Sequence, residues 1–277
     1  MERFAVIGQP ISHSRSPFIH EQFAAQFSQS INYQRIECAA ENFALTVRDF
    51  FKHHGRGMSV TVPHKETAFA LCEQTTEYAQ QARAVNTLFQ DEQGRLWGDN
   101  TDGRGLLNDL QRNHGLSLND LNIRIIGAGG AARGIIGPLL EAKVRSITLA
   151  NRSVDKAERL IQQFDQHGVV LCAIGLNDLG KHAPDVIIHA SSAGLTGEAI
   201  IGLPAWYQPE TVCVDLSYGL GVTPFLQAVQ QLGVTRRIDG LGMLVEQAAL
   251  AYAIWRGCRP HTHSVINSLR SQLNPTL

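Results

Sequence analysis

The stretch Met58-Ser-Val-Thr-Val-Pro-His-Lys-Glu66 reads as the end of a buried strand that sets Thr61 and Lys65 at its carboxyl end, where open α/β sheets bind their ligands. A partly desolvated lysine there can exchange a proton with a hydroxyl or carbonyl group. Asn86, within Ala84-Val-Asn-Thr87, and Asp102, within Asn100-Thr-Asp-Gly-Arg-Gly105, add an amide and a carboxylate at further strand ends. Either alone fits an ordinary turn or helix cap; with Lys65 they make up the parts of a proton-transfer site. Earlier in the chain, Ser12-His-Ser-Arg-Ser-Pro17 supplies three hydroxyls just ahead of a helix that tolerates proline in its first turn. Hydroxyls and free N–H groups at that point can hold a carboxylate, the plain alternative being that Ser14 or Ser16 is simply the helix N-cap.

A different chemistry is written in Gly127-Ala-Gly-Gly-Ala-Ala132, which fits G-x-G-x-x-G/A directly after an apolar strand and directly before a helix starting near Gly130. Gly127 permits the tight turn and Gly129 lets backbone approach a pyrophosphate. Small Ala132 lets the helix lie close to the sheet, with its free N–H groups facing the phosphate charge. An NAD site carries Asp or Glu about 20 residues on, at the end of the second strand. Here that strand ends in Asn151-Arg152-Ser153, with Lys156 next along and no carboxylate at the strand end. A guanidinium suits the bidentate demands of a 2′-phosphate, so NADP is the expected cofactor.

Short apolar runs bounded by Gly, Pro or Asn alternate with longer amphipathic stretches, the pattern of parallel sheets covered by helices. Strands are expected at Arg3–Gly8, Tyr33–Cys38, Gly57–Thr61, Ile123–Ile126, Ser146–Ala150, Val169–Ile174, Asp185–Ala190 and Val212–Leu216. Helices are expected at Pro17–Phe27, Glu41–His54, Arg104–His114, Gly130–Glu141, Val154–Phe164, Pro224–Leu232 and Met243–Arg256, with a further short helix near the C-terminus. Residues 84–98 read as two strands joined by a polar turn, and a domain boundary falls near Asp102. The 277 residues allow two domains, each with its own core. A formal net charge of −1 gives no electrostatic case for nucleic acid or an anionic membrane. The five cysteines are scattered and include no CxxC pair, so they read as reduced core thiols rather than a disulfide framework or zinc cluster. No long apolar stretch reads as a secretory leader or a spanning helix, and a cytoplasmic location is expected.

Taken in order, these motifs resemble the shikimate dehydrogenase family over nearly the whole chain. The residues carrying the resemblance are Gly8-Gln-Pro-Ile-Ser-His-Ser-Arg-Ser-Pro17, Ser59-Val-Thr-Val-Pro-His-Lys65, Ala84-Val-Asn-Thr87, Gly98-Asp-Asn-Thr-Asp-Gly103, Gly127–Ala132, Asn151-Arg152-Ser153, Asp215-Leu-Ser-Tyr218 before Thr223-Pro-Phe225, and Asp239-Gly-Leu-Gly-Met-Leu-Val-Glu-Gln-Ala248. The resemblance implies an α/β fold with a substrate-binding domain over residues 1–101, completed by 243–277. A Rossmann-like doubly wound NADP-binding domain would span 102–242, with the C-terminal helices packing back on the first domain. It implies that Ser14 and Ser16 hold the shikimate carboxylate, that Thr61, Asn86, Asp102 and Gln247 bond its ring hydroxyls with Tyr218 nearby, and that Lys65 and Asp102 carry the chemistry. For the cofactor it implies the backbone of Gly127, Ala128, Gly129, Gly130 and Ala131 on the pyrophosphate. Asn151, Arg152, Ser153 and Lys156 would surround the adenosine 2′-phosphate, and Leu216, Gly240 and Met243 would lie near the nicotinamide. No metal is implied.

The implied activity is the NADP-dependent reversible reduction of 3-dehydroshikimate to shikimate in chorismate and aromatic amino acid biosynthesis, by a monomer or homodimer. Alternatives are a quinate/shikimate dehydrogenase of broader substrate range that uses NAD, against which Arg152 speaks, and a non-catalytic dinucleotide-responsive binding protein, against which Lys65 and Asp102 speak. One departure stands out. Where the family commonly has Asn-Ala-Thr/Ser, this chain has His189-Ala-Ser-Ser-Ala-Gly194. The plainer expectation is that His189 satisfies local backbone groups, the other that it perturbs the cofactor loop.

Overall fold

The computed structural model describes residues 1–164, 168–178, 184–191 and 207–273. They divide into two compact units, Met1–Gly105 with Val245–Asn267, and Leu106–Leu244 with Ser268–Leu277. In the first, the strands are β1 (Glu2–Gly8), β2 (Ile31–Glu37), β3 (Gly55–Val60), β4 (Gln74–Thr75), β5 (Thr87–Gln90) and β6 (Leu96–Asp99). The helices are α1 (Ser16–Gln26), α2 (Phe43–Lys52), α3 (Lys65–Leu71), α4 (Glu77–Ala82) and the first turn of α5 (Asp102–Asn108). The sheet order is β2-β1-β3-β5-β6-β4. β1 is flanked by parallel partners and β5 runs antiparallel between β3 and β6.

Alternation along these strands splits the core into two layers. Ala5, Ile7, Met58, Val60 and Leu88 pack under Phe43, Val47, Phe50 and Phe51 of α2. On the other face Phe4, Val6 and Tyr33 meet Trp255, which belongs to α9 (Leu241–Arg256). Trp255 lies over Gly57, where any side chain would collide with the indole, and its Nε1 donates to the Leu88 carbonyl at 3.1 Å. Tyr252 donates to Gln29 at 2.7 Å. The long C-terminal helix therefore closes the first unit, as the fold class anticipates.

The second unit holds β7 (Asn122–Ile126), α6 (Gly130–Glu141), β8 (Ser146–Ala150), α7 (Val154–Ile161), β9 (Val170–Ile174), β10 (Val186–His189), β11 (Val212–Asp215), α8 (Pro224–Gln231) and β12 (Arg237–Ile238). The order β12-β11-β10-β7-β8-β9 is parallel throughout. Its central strands are mostly apolar because both faces are covered, with Arg124 of β7 a buried exception. Ile123, Ile125, Ile188 and Val214 face Ile135, Ile136 and Leu139 of α6, while Ile126, Ile187 and Cys213 face Phe225, Leu226 and Val229 of α8.

The last helix, α10 (His263–Leu273), departs from expectation in one respect. From Ser268 onward it belongs with the second unit, because Arg270 forms a two-pronged pair with Asp239 at 2.8 and 2.9 Å. α5 begins two residues before the expected Arg104, since the Asn100 side chain accepts from the Asp102 N–H at 3.1 Å and starts the helix there. It ends in a wide turn over Asp109–Asn113. The expected helix from Glu41 opens instead as a tight turn over Ala40–Asn42 before α2. Helices α3 and α4, at seven and six residues, are too short to show apolar periodicity and escape the sequence reading.

Candidate active site

Register places the candidate residues of the first unit at one sheet edge. Ser59 of β3 stands opposite Thr87 of β5, and Thr87 opposite Asp99 of β6. The residues just after β3, just before β5 and just after β6 must then lie side by side, which gathers Thr61, Asn86 and Asp102. Backbone bonds lock the three ends together, with Val60 N–H on the Asn86 carbonyl at 2.8 Å and Asn86 N–H on that of Asp99 at 3.0 Å. Lys65 opens α3, and its carbonyl accepts from Val85 N–H at 2.9 Å, so the lysine is tied to the same edge.

At that edge Lys65 Nζ donates to Asp102 Oδ2 at 2.6 Å, the two side chains being 30% and 14% exposed. The ammonium is thus shielded yet reachable by a ligand. Asn86 is the buried hub. Its Nδ2 faces Asp102 Oδ1 at 2.8 Å, Thr101 Oγ1 at 2.9 Å and Gln247 Oε1 at 3.3 Å. Its Oδ1 accepts from the Thr87 hydroxyl and the Thr101 N–H. Gln247 comes from α9, and Gly105 lies so close to its backbone that a Cβ would meet it at 2.7 Å. Beneath the cluster Asp99 accepts from Thr76 Oγ1 at 2.5 Å and is paired with Arg104, whose guanidinium stacks on Tyr78 at 4.2 Å.

Ser14 and Ser16 come shortly after β1. The position before α1 is Arg15, so neither serine is the N-cap itself, but Ser14 Oγ accepts from the Ser16 N–H at 3.3 Å and so serves the first turn of the helix. Ser14 Oγ lies 3.2 Å from Ser16 Oγ, and Arg35 fixes the Ser14 carbonyl through two donors at 2.9 and 2.7 Å. Tyr33 of β2 donates to Ser59 at 2.8 Å and also bonds Ser16; burial pushes its phenol well up, so it stays protonated as a donor. Ser59, Tyr33 and Arg35 are supports that the sequence reading missed, because their pairing crosses three strands and no local spacing announces it.

In the second unit, Gly127 takes a left-handed φ of +110° and its Cα faces Ala190 and Ser191 so closely that a side chain would press on their backbone. Among the described residues nothing lies within 4 Å of a Cβ position on Gly129 or Gly130, and Gly129, the N-cap of α6, has no side chain with which to cap the helix. Among those residues the helix start therefore presents its first N–H groups over a floor without side chains, which fits a pyrophosphate. Ala128 is buried and Ala131 exposed. At the end of β8, Asn151 Nδ2 donates to the Ser153 carbonyl at 2.9 Å, while Arg152, Ser153 and Lys156 are exposed. That donor set suits a 2′-phosphate. Leu216 and Gly240 adjoin, a Cβ on Gly240 overlapping the Leu216 carbonyl. Met243 packs against the core beside them and Tyr218 stands in the loop after β11. Among the described residues the His189 ring is bonded to side chains rather than to backbone groups. The two partners are Asp215 Oδ1 at 3.1 Å and Ser191 Oγ at 2.7 Å. Residues 192–194 of that segment lie outside the described residues.

Three family models match the chain in succession: the shikimate dehydrogenase substrate binding domain over residues 6–88, shikimate / quinate 5-dehydrogenase over 109–236, and the shikimate 5′-dehydrogenase C-terminal domain over 240–270. The chain is 47% identical to a shikimate dehydrogenase (NADP(+)) of Aromatoleum aromaticum, covering 99% of each. This chain belongs to the shikimate dehydrogenase family. Its fold is similar to that of an Ael1 enzyme from Pseudomonas putida, with a TM-score of 0.90 and 41% identity over 97% of this chain and 98% of the other. It is also similar to shikimate 5-dehydrogenase from Thermus thermophilus in complex with NADP(H) and shikimate, with a TM-score of 0.85 and 29% identity over 98% and 99%. Among the described residues no helix is long and apolar enough to cross a membrane, and no group of three or more His, Cys, Asp or Glu side chains is placed to hold a metal ion. Glu77 sits in the first turn of α4, facing Gln81 Nε2 at 3.4 Å.

Proposed function

We propose that this chain interconverts 3-dehydroshikimate and shikimate with NADP as hydride carrier, as a cytoplasmic enzyme of the route to chorismate and the aromatic amino acids. The observation that carries this reading is the Lys65–Asp102 pair at 2.6 Å, set among Asn86, Thr101 and Gln247. Ser14 and Ser16 receive the substrate carboxylate on hydroxyls held by the Ser14 carbonyl clamp and by Tyr33. Thr61, Asn86, Asp102 and Gln247 take the ring hydroxyls, with Tyr218 as a further substrate contact.

In the oxidising direction Lys65 accepts the proton of the reacting hydroxyl, and in the reducing direction its ammonium returns a proton to the carbonyl oxygen. Asp102 orients Lys65 and the reacting oxygen as one unit with it. Asn86 prevents the carboxylate from swinging away, because it holds Oδ1 while Lys65 holds Oδ2. NADP supplies the hydride acceptor or donor when bound. Its pyrophosphate is assigned to the backbone of Gly127–Ala131, its 2′-phosphate to Asn151, Arg152, Ser153 and Lys156, and its nicotinamide side to Leu216, Gly240 and Met243.

The test is reduced-nicotinamide absorbance with shikimate or quinate and NADP or NAD, in all four combinations. Turnover confined to shikimate with NADP is expected. Turnover chiefly with quinate or NAD would move the assignment to the broader dehydrogenase, and silence in all four would overturn the enzyme reading.

A further inference from the structure

At the carboxyl ends of β10 and β11 a chain of side chains leads from the core to the surface of the nucleotide turn. Asp215 is 1% exposed and accepts from everything around it: Thr223 Oγ1 at 2.6 Å, Ser217 N–H at 3.0 Å and His189 Nδ1 at 3.1 Å. His189, also 1% exposed, is clamped flat on Phe225 with ring centroids 4.8 Å apart. Its other nitrogen, Nε2, meets the half-buried Ser191 hydroxyl at 2.7 Å. A carboxylate can only accept, so a singly protonated His189 ring carries its proton on Nδ1. Nε2 then has only a lone pair, and Ser191 must spend its hydroxyl proton on it. The Ser191 oxygen is left as a hydrogen-bond acceptor beside Gly127, whose Cβ position lies 3.1 Å from Ser191 N.

Sheet order says what that acceptor faces. Arg152 lies just past β8, the glycine turn just past β7 and Ser191 just past β10, in the order β8, β7, β10 across the sheet. A dinucleotide with its 2′-phosphate at Arg152 and its pyrophosphate at the turn must run its nicotinamide half over β10. An oxygen with its proton directed inward is a poor neighbour for phosphate and a good one for a hydroxyl or amide N–H. We propose that Asp215 and His189 are positioning residues that fix the polarity of Ser191, and that Ser191 accepts a hydrogen bond from a hydroxyl or amide donor on the nicotinamide half of NADP. This rests on the placement of the dinucleotide proposed above.

The test uses the intact protein, titrated calorimetrically with NADP and with adenosine 2′,5′-bisphosphate, which lacks the nicotinamide half. Ser191→Ala removes one half-buried hydroxyl and leaves the buried pair in place. It should weaken NADP binding about 5- to 10-fold, as expected for one lost hydrogen bond, and leave the bisphosphate unchanged, with Ser191→Thr restoring affinity. His189→Phe, which keeps the stack on Phe225 and can neither donate nor accept, should weaken NADP to a similar degree, and the double variant should be no worse than either single one. Nitrogen-15 NMR of the wild-type ring should show the proton on Nδ1 and a shift of the Nε2 resonance when NADP binds. A proton on Nε2, an unaltered NADP affinity in Ser191→Ala, equal losses for both ligands or additive losses in the double variant would each overturn the proposal. A wild-type chain that binds the bisphosphate but not NADP would do the same, whereas one that binds neither ligand overturns the dinucleotide reading first.

Discussion

The two oxygens of Asp102 are held by different residues, Oδ2 by Lys65 Nζ at 2.6 Å and Oδ1 by Asn86 Nδ2 at 2.8 Å. A carboxylate gripped on both sides cannot rotate, so the lysine that pairs with it is aimed as well as charged. Substrate is expected to bind largely through the serines and ring-hydroxyl contacts, and to react only through the aimed lysine.

Lys65→Ala should therefore lower kcat by about 10²- to 10⁴-fold, the range for loss of a general acid–base group, while KM for shikimate changes by less than about 10-fold. Asp102→Asn should lower both kcat and substrate affinity, because that side chain also contacts the substrate under the proposed arrangement. Steady-state kinetics of the purified variants decides it. A Lys65→Ala enzyme with unimpaired kcat would sink the proton-transfer role.

Cofactor choice is expected to rest on Arg152, an exposed guanidinium at a strand end without a carboxylate. Charge-assisted hydrogen bonds to phosphate contribute about 1.5–3 kcal/mol, so Arg152→Ala should raise KM for NADP by roughly 10- to 100-fold and leave KM for NAD nearly unchanged. Equal changes for the two cofactors would show that the guanidinium is not at the 2′-phosphate.

The chain is unevenly legible for physical reasons. The glycine turn and the strands around it can be read because a covered parallel strand is mostly apolar, as in the run Val186–Ile188 of β10. Lys65, Asn86 and Asp102 can be read as chemical types at strand ends. Their convergence depends on the antiparallel register Ser59–Thr87–Asp99, which no single segment encodes. Short α3 and α4 escape because a helix of two turns shows no period. The role of His189 is hidden from local sequence because its partners, Asp215 and Ser191, include one 26 residues away on a neighbouring strand.

Gly240 has a steric duty that sequence alone does not reveal. Its N–H donates to the Ser217 carbonyl at 3.0 Å, and a Cβ there would overlap the Leu216 carbonyl. Gly240→Ala should force the two segments apart, costing about 1–3 kcal/mol as for other overpacked sites, and should weaken NADP binding in parallel. Thermal unfolding and NADP titration of the variant check it, and a melting point and affinity equal to the parent's would show that the segments yield freely.

His20 is the clearest internal source of acid sensitivity. It is fully buried against Tyr33 and Trp255, with ring centroids at 4.5 and 5.1 Å, and neither ring nitrogen has a hydrogen-bond partner among the described residues. Burial lowers its pKa from 6.5 to about 3. The unfolded chain therefore binds a proton at this residue below pH 6.5 that the folded chain refuses until about pH 3. Stability from this group is fully present above pH 6.5 and is lost as pH falls towards 3. At about 1.36 kcal/mol per pH unit the loss reaches about 3 kcal/mol near pH 4.5. His20→Phe keeps an aromatic ring in the stack and removes the titration. Urea unfolding at about pH 7 and pH 4.5 should show a drop in stability between the two conditions that is smaller in the variant by about that amount. Because the comparison is between slopes, any packing change common to both pH values cancels, and equal drops in the two proteins would mean that His20 gains a proton without leaving its aromatic box.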